Sequence, residues 1–206
     1  MMIDGQEIRT DDLISIHPPA ETSHLLGHFH IGSANHVSDA IDAAMRARDA
    51  WAAMPWQDRV AIFLKAADLV TGPHRYAMNA ATMLCQSKNV YQAEIEAVAE
   101  LADFFRYNAQ YITEIYAEQP ESVPGVWNRV DYRPLEGFVF AVTPFNFTAI
   151  AANLPASAAM MGNTVVWKPS DTQAYSAWMT MQILREAGLP DGCLLYTSDA
   201  ADESVC

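Results

Sequence analysis

The sequence lacks the usual devices for holding a nucleotide or a metal. Its nine glycines never fall at a G-x-G-x-x-G spacing, which excludes the ordinary dinucleotide-binding turn, and there is no phosphate-binding P-loop. Cysteine is scarce. The three residues are far apart and odd in number, which argues against a disulfide framework and fits a reducing, cytoplasmic setting. Basic residues are few, 12 against 25 acidic ones for a net charge of −13, so no nucleic acid and no anionic membrane surface is expected as a partner. No apolar run approaches the ~20 residues of a membrane helix, because Asn153 and Pro155 interrupt the best candidate. The opening MMIDGQEIRTDD has neither an apolar signal core nor transit-peptide character. What remains is 206 residues, 51% apolar, enough for one large α/β domain or two small ones with a real core.

The polar residues that could carry chemistry are gathered in residues 137–171, GFVFAVTPFNFTAIAANLPASAAMMGNTVVWKPSD. Residues 138–142 form a short apolar run of the kind a buried parallel strand makes. TPFNFT then reads as a loop: Pro144 cannot donate to a sheet, and Asn146 is short, with both donor and acceptor. Residues 149–163 are small, apolar and of helix length, with Gly162-Asn163 as the stop. TVVWKPSD is a second buried strand that breaks at Pro169. Strand, helix and strand in this order predict a right-handed crossover, with ligands bound beyond the strands' carboxyl ends. Those ends are residues 143–146 and 168–171.

Before this unit, residues 1–31 are turn-rich and weakly alternating, and predict two or three short strands in an antiparallel flap. His28 and His30 share one strand face there, but nothing nearby supplies a third metal ligand, so a surface strand is the favoured reading. Residues 36–118 are helical almost throughout. Val37, Ala40, Ile41, Ala44 and Trp51 make one stripe, Gly72 stops the second helix, and Pro73 opens the third. The longest helical pattern buries Ile95, Val98, Leu101, Phe105 and Ile112. Glu96 and Glu100, four apart, share a face that reads most simply as solvated and acidic. Residues 119–126 are a loop, and WNRVDYRP is a strand on an edge or reaching toward a partner. After the central unit, an amphipathic helix runs from a cap at Asp171 or Thr172 to Gly188. Beyond Gly192 no strand pattern follows, although another buried strand is due. Cys85 has no nearby histidine or helix N-terminus to activate it and reads as a packed thiol.

TPFNFT and WKPSD, at their spacing, resemble the aldehyde dehydrogenase superfamily, with its P-[WF]-N-[FY] loop and K-P-[ST]-[DE] strand end. FLKAADLVTGPHR, QAEIEAVAELADFFRYNAQY and ILREAGLP extend the resemblance to Gly192 and bring it closest to members that oxidise L-glutamate γ-semialdehyde, the second step of proline breakdown. The resemblance implies an α/β fold: an incomplete aldehyde-dehydrogenase-type, Rossmann-like cofactor domain preceded by a mostly helical N-terminal part. Residues 1–135 would hold the strands, helical region and extended arm, and residues 136–192 the start of an NAD-binding domain. Asn146 then matches the asparagine that stabilises the substrate oxyanion. Lys168 matches a lysine on the adenosine ribose of NAD, with Thr143 on the same cofactor side. Phe147 and Glu100 match positions beside the small-molecule aldehyde substrate, and Asp171 stands where many relatives place a ribose-binding glutamate. A homo-oligomer is implied for complete members.

The nucleophilic cysteine, the general-base glutamate of an E-[LC]-G-G-K-type motif and the G-S-x-x-x-G cofactor loop belong downstream of Gly192 in this family, and none is in the sequence. CLLYTSDAADE resembles the translation of a transposase adapter used in sequencing libraries, which would make residues 193–206 a non-native tail. The expected identity is thus the N-terminal part of an NAD-dependent dehydrogenase, inactive by itself. Its rivals are an aldehyde dehydrogenase of other substrate, part of a larger proline-oxidising polypeptide, and a non-catalytic assembly piece.

Overall fold

The computed structural model describes residues 1–197. Two short hairpins open the chain, β1 (Met2–Ile3) with β2 (Gln6–Glu7) and β3 (Leu13–Ile16) with β4 (Gly27–His30). The first turns through Asp4 and Gly5, both at positive φ, which matches the twist of a two-residue hairpin. Helices follow: α1 (Ala34–Ala53), α2 (Trp56–Thr71), α3 (Arg75–Gln86), the single turn α4 (Val90–Ala93), a π-helical turn (Glu94–Ala99) and α5 (Glu100–Ala117). The central unit is β5 (Val139–Val142), α6 (Thr148–Met160) and β6 (Val165–Lys168). After a 3-10 turn (Asp171–Gln173), α7 (Ala174–Ala187) leads to β7 (Leu194–Tyr196).

The main sheet has strand order β2-β1-β7-β6-β5; β5, β6 and β7 are parallel, and β1 joins β7 antiparallel. Side chains alternate across it. Val165, Trp167, Leu194 and Tyr196 enter the large core with α2, α5, α6 and α7, while Val166 and Leu195 meet Ala40, Ala43 and Ala44 of α1 on the other face. Both faces of β6 and β7 are therefore covered, which is why these strands are apolar up to Lys168 at the end of β6. Strand β5 stands at the edge of the sheet, with Phe140 and Val142 exposed.

Several expectations are corrected. The N-terminal segment is more than a flap, because β1 extends the main sheet. Residues 127–134 form no strand; they have no strand neighbour among the described residues and are held instead by side chains, with Gln119 accepting from the Val130 amide and Tyr132 donating to the Glu118 carbonyl. Pro73 lies in the turn before α3, and Asp171 and Thr172 belong to the 3-10 turn that precedes α7, whose N-cap position is held by Gln173. Ile95 is 68% exposed because the π-helical turn inserts an extra residue per turn and rotates the stripe, turning Glu96, 5% exposed, inward. Leu194–Tyr196 does form a strand, since three apolar residues suffice when the buried edge of β6 faces them. The rest of the 193–206 tail, from residue 198, lies outside the described residues.

Candidate active site

The TPFNF loop leaves the carboxyl end of β5 and enters α6 within five residues. Its first residue is fixed from the sheet. The Thr143 amide donates to the Lys168 carbonyl at 3.1 Å, and the Thr143 hydroxyl accepts from the indole Nε1 of the fully buried Trp167 at 2.8 Å. Thr143 and Lys168, at neighbouring strand ends, line one cavity of about 330 Å³ with Pro144, Phe145, Ser170 and Asp171. The structure thus brings these two predicted residues together. Asp171 turns its carboxylate on its own segment, accepting from the Thr172 amide at 2.8 Å.

The last two loop residues face a different neighbourhood. Asn146 is exposed, and its side-chain amide has no hydrogen-bond partner among the described residues, so it is open to an incoming group. Its backbone carbonyl accepts from Lys88 Nζ at 2.6 Å. The same ammonium lies 4.1 Å from the Phe147 ring centroid and 3.2 Å from Glu96 Oε2. Lys88 and Glu96 thus form an ion pair with both side chains largely shielded from solvent. Glu96 Oε1 in turn accepts from the Ala149 amide at 2.9 Å. Phe147 is the N-cap residue of α6 and carries no oxygen with which to cap it, so this carboxylate does the capping from the π-helical turn. Burial pushes the Glu96 carboxyl above its ordinary range, against the Ala149 amide and Lys88, which hold it down. Thr148 completes the anchorage, bonded to Thr82 at 2.9 Å and accepting from Gln86 at 2.8 Å.

Glu100 stands apart. It is half-buried at the start of α5; its backbone amide donates to the Ile95 carbonyl, and its carboxylate makes no hydrogen bond or ion pair among the described residues. Lys88 and Glu96 were not legible as site residues. A regular helical period places Glu96 on the solvated face with Glu100, and only the π-helical turn reverses this. The one signal was weak: the Asn89-x-x-Gln92 capping box, which fixes a helix start beside Lys88. Among the described residues no three His, Cys, Asp or Glu side chains gather to hold a metal, and no helix is long and apolar enough to cross a membrane. His30 Nδ1 is engaged by the Thr10 amide at 3.0 Å. Cys85 is buried and its thiol is pushed up by burial, so it packs rather than reacts.

Residues 6–204 match the model of the aldehyde dehydrogenase family, and the chain belongs to that family. Delta-1-pyrroline-5-carboxylate dehydrogenase of Agaricus bisporus is 52% identical over 202 residues, covering 98% of this chain and 37% of that protein. The human protein described as mitochondrial delta-1-pyrroline-5-carboxylate dehydrogenase is 44% identical over 214 residues, covering all of this chain and 38% of its own length. In three dimensions the chain is similar to Delta-pyrroline-5-carboxylate dehydrogenase of Mycobacterium tuberculosis bound with NAD, with TM-score 0.94, 50% identity, and 96% of this chain and 37% of that one covered. The chain spans well under half the length of the relatives it matches.

Proposed function

We propose that this chain is the N-terminal part of an NAD-dependent dehydrogenase that oxidises L-glutamate γ-semialdehyde to glutamate. The observation that carries the reading is the open Asn146 amide on a loop fixed at both ends. An oxyanion forming at the substrate carbonyl needs a donor already in place, and a held loop provides one without reorganisation. Phe147 would flank the semialdehyde chain, and Glu100 would shape the far side of its pocket.

The residues present fit the adenosine side of NAD. The cavity between the β5 and β6 ends is large enough for a ribose and its neighbours, and Lys168, Thr143 and Ser170 offer it an ammonium and two hydroxyls. The cofactor, when bound, supplies the hydride acceptor. Lys168 would hold the ribose hydroxyls, with Pro144 and Phe145 lining the loop side of the cavity. The nucleophilic cysteine and the general base would come from sequence downstream of this chain.

The test is aldehyde-dependent NADH formation. The complete enzyme carrying this chain is expected to turn over the semialdehyde faster than aldehydes lacking its carboxylate, and the 206-residue chain alone to show no turnover. Equal rates on all aldehydes would overturn the substrate, and turnover by the chain alone would overturn the missing nucleophile. A homo-oligomer belongs to the same reading, supported by the exposed Trp127 on the extended arm. For residues 193–206 the adapter-translation reading rests on CLLYTSDAADE, and resequencing by a method without transposase adapters tests it. The cytoplasmic setting rests on the cysteine pattern, whereas the human and mouse relatives are named mitochondrial; fractionation of the source cells decides between them.

A further inference from the structure

The geometry points to Lys88 and Glu96 as a positioning pair that holds the TPFNF loop in its working conformation, with Lys88 fixing the peptide plane of Asn146 and Glu96 fixing the start of α6. This rests on the reading of Asn146 as the oxyanion donor, and concerns how that donor is aimed.

Three observations carry it. Lys88 Nζ touches the loop twice, at the Asn146 carbonyl (2.6 Å) and over the Phe147 ring (4.1 Å to its centroid). A peptide plane held through its carbonyl restrains the backbone rotation of Asn146, and with it the point from which the Asn146 side chain departs. Glu96 ties the first turn of α6 to the same ammonium, accepting from the Ala149 amide (2.9 Å) while facing Lys88 (3.2 Å). Finally, Glu96 reaches the loop only because residues Glu94–Ala99 are wound as a π-helical turn, and such turns inside helices concentrate at functional sites. A regular helix would put Ile95 nearer this position, and an exposed isoleucine is what the rotation leaves behind.

Neither residue touches the reacting atoms in this account, so their loss should act through Asn146. Misaiming a donor that serves only the transition state lowers kcat and leaves substrate binding nearly intact. In the complete enzyme carrying this chain, Lys88→Met is expected to lower kcat ~10- to 100-fold, the scale of a small misplacement of a reacting group. The KM values for aldehyde and NAD should stay within about twofold. Lys88→Arg, which keeps a cation on a long stem, should recover most of the rate. Because the pair acts through Asn146, adding Lys88→Met to Asn146→Ala should cost almost nothing further.

A second measurement needs no activity. In the 206-residue chain, Lys88→Met and Glu96→Gln should speed amide hydrogen exchange several-fold in peptides covering residues 143–150, while peptides from α2 keep their protection. Unchanged exchange at the loop overturns the proposal whatever the kinetics show. So does a double variant slowed by the full Lys88 factor on top of the Asn146 factor, which would show that Lys88 acts elsewhere. If exchange rises at the loop but Asn146→Ala keeps a normal kcat, the pair still holds the loop and the oxyanion reading is what falls.

Discussion

The hydrogen bond from Trp167 Nε1 to Thr143 Oγ1 ties the start of the candidate loop to the core of the sheet, and Thr143→Val isolates it. Valine keeps the β-branched shape that suits a strand end and removes only the hydroxyl. Trp167 is fully buried and Thr143 nearly so, and the bond is 2.8 Å long. The indole N–H would be left in the interior with no acceptor. An orphaned buried donor costs about 1–3 kcal/mol. For a chain of this size each kcal/mol moves the melting temperature by about 2–4 °C, so a fall of about 2–12 °C is expected. Thr143→Ser keeps the oxygen and should recover most of the loss. Thermal and urea melts of the 206-residue chain and both variants measure it. A valine variant as stable as the parent, or a serine variant as weak as the valine one, would refute the reasoning and leave Thr143 without a structural role.

Burial governs the cysteines: Cys85 is pushed above its ordinary range and Cys193 up to about 12, so at mildly alkaline pH peptides containing either should stay unlabelled by iodoacetamide until denaturant is added. Rapid labelling of either in the folded chain would contradict the packing. The Glu96 carboxyl, raised by burial, binds its proton more tightly folded than unfolded, so stability should fall as pH rises from the ordinary glutamate range through the higher folded value. Glu96→Gln should remove that slope; urea midpoints measured across the acid range should diverge accordingly, and parallel curves would show that the group does not titrate in this way. In the complete enzyme, Lys168→Ala should raise the KM for NAD and spare kcat, because a ribose contact is largely uniform binding. A collapse of kcat at unchanged KM would place Lys168 at the chemistry instead.

Strands β5 and β6 were legible because each is an apolar run followed by one polar residue and a proline, Thr143-Pro144 or Lys168-Pro169, so the sequence marks both the strand and the point where a site can open. The polar side chains at those points, Thr143, Asn146 and Lys168, could be picked out for the same reason. Their supports could not. The inward turn of Glu96 depends on one extra residue in a helical turn, a backbone event with no periodic signature, and the same event misplaced Ile95. Lys88 carried no signal of its own because its loop partners are a backbone carbonyl and a ring about sixty positions away, and its ion-pair partner Glu96 turns inward only through the π-helical turn. Strand β1 is only two residues long, too short for alternation to show, and its place in the main sheet depends on β7 at the far end of the described chain.

The central claim is that Asn146 stabilises charge present only once the carbonyl oxygen has become an oxyanion. Steady-state kinetics of Asn146→Ala in the complete enzyme, with folding checked by thermal melts, test it most directly. Loss of one such donor typically costs ~100- to 1000-fold in kcat, and that fall is expected with little change in aldehyde KM, provided acylation or hydride transfer limits the rate. A near-normal kcat with weakened substrate affinity alone would contradict the account and leave the loop a purely structural element.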